Sequence, residues 1–143
     1  MSVYDIGGKL KAILDIVKNA TGSRLAVVYD YDSPDTSDSG YPYATLTPKV
    51  VEEDSLDTAT NKTLYKFLIR GVHCIKDKST MEATMRRLCD DILAELRKGA
   101  HQTFDGTVDR VLPFHVDWGW ETANQMPSRF FEITVEVEKL FDI

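Results

Sequence analysis

The residues with which this chain could do chemistry are three histidines, two cysteines and a scatter of aspartates, and their spacing fits none of the common sites. His73, His101 and His115 stand far apart. None has a second imidazole at the i, i+4 step that places two metal ligands on one helix face, so they read as ordinary strand or loop histidines. Gly7-Gly8-Lys9 contains the Gly-Lys pair of a phosphate loop. Such a loop needs a glycine five residues earlier and a Ser or Thr after the lysine, where this chain has Val3 and Leu10. Asp30, Asp32, Asp35 and Asp38 resemble a calcium loop, but the positions that should hold glycine and glutamate are Asp35 and Tyr41. The run reads as a solvated acidic loop. Asp90 and Asp91 are adjacent on an expected helix, point about 100° apart, and do not converge as an acid–base pair. No G-x-S-x-G elbow is present. Cys74 and Cys89 read as reduced core thiols, since buried cysteine behaves as a small hydrophobe. The chain is therefore expected to be no enzyme, with no cofactor and no metal.

What remains is a set of residues suited to docking. The pairs Tyr41/Tyr43 and Trp118/Trp120 have strand spacing, so each pair shares one face. They serve either as core or as interface anchors, where Trp and Tyr are enriched. Lys66, Arg70, Arg110 and Arg129 lie on expected strands among hydrophobics, suited to pairing with surplus carboxylates or to solvent. Glu52, Glu53, Asp54 and Asp57 sit in a polar stretch, 49–61, expected to be a mobile loop. The loop, together with Tyr41 and Tyr43, is the expected contact surface. The full candidate interface is Tyr41, Tyr43, Glu52, Glu53, Asp54, Asp57, Lys66, Arg70, Trp118, Trp120 and Arg129.

The elements that must position these residues follow from periodicity. Ile6, Leu10, Ile13, Leu14 and Val17 recur at helical spacing, predicting a helix over 3–20 stopped by Gly22. A short apolar strand, 25–29, precedes a loop over 30–40. A strand over 41–47 is expected at the sheet edge, because Pro42 cannot donate to a ladder, and Pro48 should close it. A long strand spans 63–75, with Tyr65, Phe67, Ile69, Gly71 and His73 on one face. Ser79 or Thr80 caps a second helix, Glu82 being available for a capping-box contact. Its apolar stripe is Met81, Met85, Leu88, Cys89, Ile92 and Leu96, with Arg86, Arg87, Asp90, Asp91 and Glu95 outward. A strand over 107–120 should carry Val108, Leu112, Phe114, Val116, Trp118 and Trp120 in phase, and 121–127 should turn. From 129 to 141, Phe131, Ile133, Val135 and Val137 face in, while Glu132, Thr134, Glu136 and Glu138 face out. Strands in a run with helices packed on one face make an α+β fold: a mostly antiparallel sheet of four to five strands under two main helices.

The 143 residues fit a single domain over 1–143, long enough to bury a sizeable core without staples. Net charge is −6, and no basic cluster suggests nucleic-acid binding or an anionic membrane surface. The N-terminus lacks the pattern of a signal peptide, and no apolar run approaches the ~20 residues of a membrane span. A reducing cytoplasm is the expected place of folding.

Tyr41-Pro-Tyr-Ala-Thr-Leu-Thr-Pro48, Asp57-Thr-Ala-Thr-Asn61, Tyr65-Lys-Phe-Leu-Ile-Arg70 and the helix from Met81 to Leu96 with Leu88-Cys-Asp-Asp91 occur in an order that resembles the tail terminator (tail-completion) family of long-tailed bacteriophages. The resemblance covers most of the chain. It implies a hexameric ring on the head-proximal end of the tail tube, assembled in the host cytoplasm, that stops tube polymerisation and offers the head-joining surface. Its implied partners are further copies of the chain, the major tail tube protein and a head–tail connector protein. DNA would pass through the lumen without specific binding, with no membrane involved. The alternatives are another head–tail connector or neck component, or a non-viral adaptor or ligand-binding α+β domain.

Overall fold

The computed structural model describes residues 3–31, 41–55, 60–74, 78–101, 104, 108–123 and 126–142. The elements run α1 (Val3–Asn19), β1 (Val27–Tyr29), β2 (Tyr43–Ser55), β3 (Thr60–His73), α2 (Lys78–Leu96), a 3₁₀ turn (Gly99–His101), β4 (Arg110–Val111), β5 (His115–Ala123) and β6 (Met126–Asp142). The six strands form one sheet in the order β1-β2-β3-β6, and both β4 and β5 pair along the far side of β6. Only the β1–β2 pairing is parallel. The fold is α+β, with a mostly antiparallel sheet of six described strands.

Two helical stripes and one row of strand residues make the core. Ile6, Leu10, Ile13, Leu14 and Val17 of α1 are buried, as are Met81, Met85, Leu88, Cys89, Ile92 and Leu96 of α2. They cover the sheet face that carries Tyr65, Phe67 and Ile69 of β3 opposite Val137, Val135 and Ile133 of β6. Sealing side chains of this kind contributes roughly 1.5–3 kcal/mol each. Gly22, at φ 72°, turns the chain after α1, the left-handed conformation glycine tolerates best.

Consecutive phenylalanines pin both ladders of β6. Phe131 stands opposite Gly71 of β3 on the helix-covered face, and a Cβ on Gly71 would lie 2.4 Å from its ring. Phe130 stands opposite Gly119 of β5 on the other face, with the same 2.4 Å approach. Each ring lies across a backbone position where a Cβ could fit only if the ring shifted.

Several elements differ from expectation. Strand β2 does not stop at Pro48; it continues to Ser55, paired with β3 down to Asn61, with a bulge between Pro48 and Val50. Beyond Thr45 no described strand pairs with its other side, and proline is tolerated at an edge and at a bulge. The stretch expected as a mobile loop is thus largely strand, although Asp57 and residues 32–40 of the expected 30–40 loop lie outside the described residues. Nor does Pro42 mark an edge: it is buried and its carbonyl accepts the Ala26 N–H at 2.8 Å. The expected strand over 107–120 is broken at Leu112–Phe114, so Val111 rather than Leu112 packs with Phe114 and Val116 against the core. Strands β5 and β6 also continue into the expected turn, to Ala123 and from Met126.

Gly71→Ala is expected to destabilise the protein by roughly 1–3 kcal/mol in urea unfolding, the usual cost of overpacking a sealed core. Gly119→Ala should cost less, because Phe130 is only half-buried, with the flexible Arg70 side chain stacked on its ring, and so has more room to shift than Phe131 in the sealed core. Equal losses would contradict this account.

Candidate interaction sites

The expected interface residues do not form one surface; the structure separates them into distinct places. Strand β5 and the start of β6 bring Trp118, Trp120 and Arg129 together. Register sets Trp120 opposite Arg129 and Trp118 opposite Phe131. The Arg129 guanidinium lies 4.9 Å from the Trp118 ring centre and 5.1 Å from that of Trp120, within cation–π range. It donates to the Gly119 carbonyl at 3.2 Å and to Glu82 Oε1 on α2 at 3.1 Å. Its Nε lies 2.7 Å from Glu82 Oε2, off the hydrogen-bond axis. Arg86 Nε donates to the same Glu82 Oε1 at 3.0 Å. Glu82, expected as a capping partner, thus has both carboxylate oxygens engaged by arginines. Burial tends to raise its pKa, but the hydrogen bonds and charges of Arg129 and Arg86 outweigh this and hold it below the ordinary carboxylate value. The tryptophans stay 38% and 47% exposed, held at the sheet margin by a side chain that is itself mostly buried.

The opposite sheet face carries Lys66 and Arg70. Lys66 pairs across the ladder with Glu136 at 3.7 Å, and Lys62 with Glu138 at 3.7 Å. Arg110 reaches Glu138 at 3.2 Å. Arg70 reaches Glu121 at 2.7 Å and stacks 4.4 Å above the Phe130 ring. These cations are matched within the chain by carboxylates, which outnumber them on this face.

Tyr41 and Tyr43 belong to a third cluster. Rings of Tyr31, Tyr29, Tyr43, Tyr41 and His73 follow one another at centroid distances of 5.4, 6.0, 5.7 and 6.2 Å. Tyr43 is buried, so it supports its neighbours rather than presenting a contact. His73 is also buried, and desolvation lowers its pKa. Glu52, Glu53 and Asp54 are exposed on the outer half of β2, on a strand rather than the loop expected for them.

Two further expectations are corrected. Glu95, expected outward, is buried, with Lys98 Nζ at 2.6 Å and His101 Nε2 at 3.4 Å. The Lys98 hydrogen bond holds its pKa down against the opposing effect of burial. Cys74 is half-buried rather than a core thiol; Cys89 is buried, and desolvation pushes its pKa up to about 11. Among the described residues no group of three or more His, Cys, Asp or Glu side chains is arranged to hold a metal, and no helix is long and apolar enough to cross a membrane.

No family model matches the chain, and no curated protein matches it. Among solved structures it is similar to a chain in the virion of a native gene transfer agent (GTA) particle. The superposition has a TM-score of 0.52 at 13% identity and covers 94% of this chain and 97% of that one. The likeness is one of fold.

Trp118 and Trp120 are the two tryptophans of the sequence, so tryptophan emission, excited selectively over the six tyrosines, reports on the Glu82–Arg129 cluster. Glu82 has a folded pKa below its unfolded value, so its stabilising contribution is present above the unfolded value and is lost as pH falls through the folded one. The emission spectrum of the folded protein is therefore expected to change only below the ordinary carboxylate range, and Glu82→Gln should remove that transition. A spectrum in which the wild type and Glu82→Gln titrate alike would contradict the assignment.

Proposed function

We propose that this chain is a structural, non-catalytic virion protein that forms a ring on the head-proximal end of a phage tail tube, ends tube polymerisation there and offers the surface for head joining. The observation that carries this reading is the fold likeness to a virion chain across nearly the whole length of both. Its virion location, its assembly in the host cytoplasm, its partners (further copies, tube protein and connector protein) and the passage of DNA through its lumen belong to the same proposal.

The site geometry supports an assembly role. A ring requires two different patches on each subunit. At one side of the sheet β5 presents Trp118 and Trp120, fixed by Arg129, with the residue types that dominate interface energetics. At the other side the outer half of β2 presents Glu52, Glu53 and Asp54 on a strand with no described neighbour on its outer side. Strand edges of this kind are open to addition by another chain. The internally paired Lys66 and Arg70 leave the outer sheet face with little field for holding a DNA phosphate backbone, whose binding depends on unmatched cations.

Added to polymerising tail tube protein, the chain is expected to shorten the tubes as its concentration rises, and gold-labelled chain should mark one end in electron micrographs. Trp120→Ala should keep the fold and weaken this capping by about 2 kcal/mol, roughly thirtyfold in affinity, as at an anchor residue. Unchanged tube length with label along the sides or nowhere would contradict the proposal.

A further inference from the structure

Helix α1 has a second face that the core does not use. Tyr4, Gly8, Ala12 and Ile16 follow one another at four-residue steps, and all are exposed, Tyr4 at 88% and Ile16 at 47%. Residues at this step form one of the ridges by which helices engage neighbours. The two small residues between Tyr4 and Ile16 make the ridge a shallow saddle. Its flank is closed electrostatically, because Lys11 and Asp15 pair with each other at 2.9 Å. The first turns of the ridge also form one wall of an apolar cleft of about 290 Å³, whose other side includes Leu46, Pro48 and Phe67.

The chain carries a segment that suits this surface. From Pro48 to Ser55 every residue of β2 is exposed, so both faces of this arm lack cover. Pairing with β3 down to Asn61 holds the arm in place. Past Pro48, which lines that cleft, the arm is exposed and does not cover its own helix. Val50 and Val51 offer one apolar side chain to each face, and Val51 is 51% exposed. The arm contains Lys49 against Glu52, Glu53 and Asp54, a net charge of −2. Helix α1 contains Lys9, Lys11 and Lys18 against Asp5 and Asp15, a net charge of +1 in a chain whose total is −6. Charge complementarity of this sense favours arm against helix and disfavours arm against arm.

We infer that the β2 arm of one copy packs across the Tyr4–Gly8–Ala12–Ile16 ridge of the next copy, with Val51 seated in the saddle and Glu53, which shares its strand face, turned toward α1. The contact joins two different patches of the same chain, so it propagates head to tail and closes into a ring when the rotation between copies permits. It rests on the assembly reading above, and it names a helix surface that lies apart from the tryptophan-bearing margin.

The test uses the full chain in a Cys74→Ser background carrying both Ala12→Cys and Val51→Cys, oxidised and run on a non-reducing gel. The expected result is a ladder extending beyond the dimer, whereas each single-cysteine variant gives a dimer at most. In parallel, Ala12→Asp, a change at an exposed position, should leave the melting temperature unchanged. It should weaken self-association tenfold or more, the order expected when an unpaired charge is buried in a contact. If the wild type assembles in solution but the double-cysteine chain gives no ladder and Ala12→Asp keeps the wild-type mass, the arm–helix contact is overturned while the ring reading stands. If the wild type stays monomeric at every concentration, with and without tube protein, both fall together.

Discussion

The structure depends on two phenylalanine rings lying over two glycines. Phe131 covers Gly71 and Phe130 covers Gly119, each directly across a ladder from its partner and on opposite faces of β6. A one-residue slip in either ladder would exchange the faces of every side chain. A two-residue slip of β3 would place Ile69 or His73 where Gly71 must be. The phenylalanine pair therefore fixes β6 against both neighbours at once. With β6 fixed, Ile133, Val135 and Val137 meet the helical stripes, and Glu132, Glu136 and Glu138 face the other way. That second row is what lets Lys62, Lys66 and Arg110 find carboxylates within the sheet.

The same register builds the tryptophan margin. Because Gly119 lies opposite Phe130, Trp118 and Trp120 flank it on the helix-covered face, and Arg129 fills the space between them. Glu82 then anchors Arg129 from α2, tying the outermost strand to the helix layer through a charge-assisted pair. The margin is thus apolar at its surface, with its arginine and glutamate paired below. The other side of the sheet is different in kind: an acidic strand arm that, among the described residues, pairs with β3 alone. Two sides that differ in this way supply the two distinct patches that the proposed ring requires of each subunit.

Much of the fold is legible in the sequence because its periodicities are strong. The alternation from Phe131 to Val137 and the stripes of α1 and α2 indicate their burial without help from tertiary context. The acidic run Glu52-Glu53-Asp54 reads as loop because its intrinsic preference is against strand; pairing with Leu64, Thr63 and Lys62 overrides that preference. The slip at Leu112–Phe114 is signalled only by Pro113. The tryptophan pair is legible as a candidate, but its setting is not. Glu82 and Arg129 are distant in sequence, and a glutamate three residues after Ser79 has a local reading as a capping partner that competes with the real one. The burial of Tyr43 is hidden for a related reason: spacing tells which residues share a face but not what covers that face, and here Tyr29 and Tyr41 lie beside it. The ridge on α1 goes unnoticed when a helix is read for its buried stripe alone, since glycine and alanine give no signal of their own.

The central claim, that this chain is built to assemble with copies of itself, is tested most directly by absolute mass in solution, from light scattering after size exclusion across a range of concentration and salt. The account predicts a closed species near six times 16.2 kDa, either for the chain alone at high concentration or on adding tube protein. A mass that stays at one or two chains under every condition, tube protein included, would contradict it.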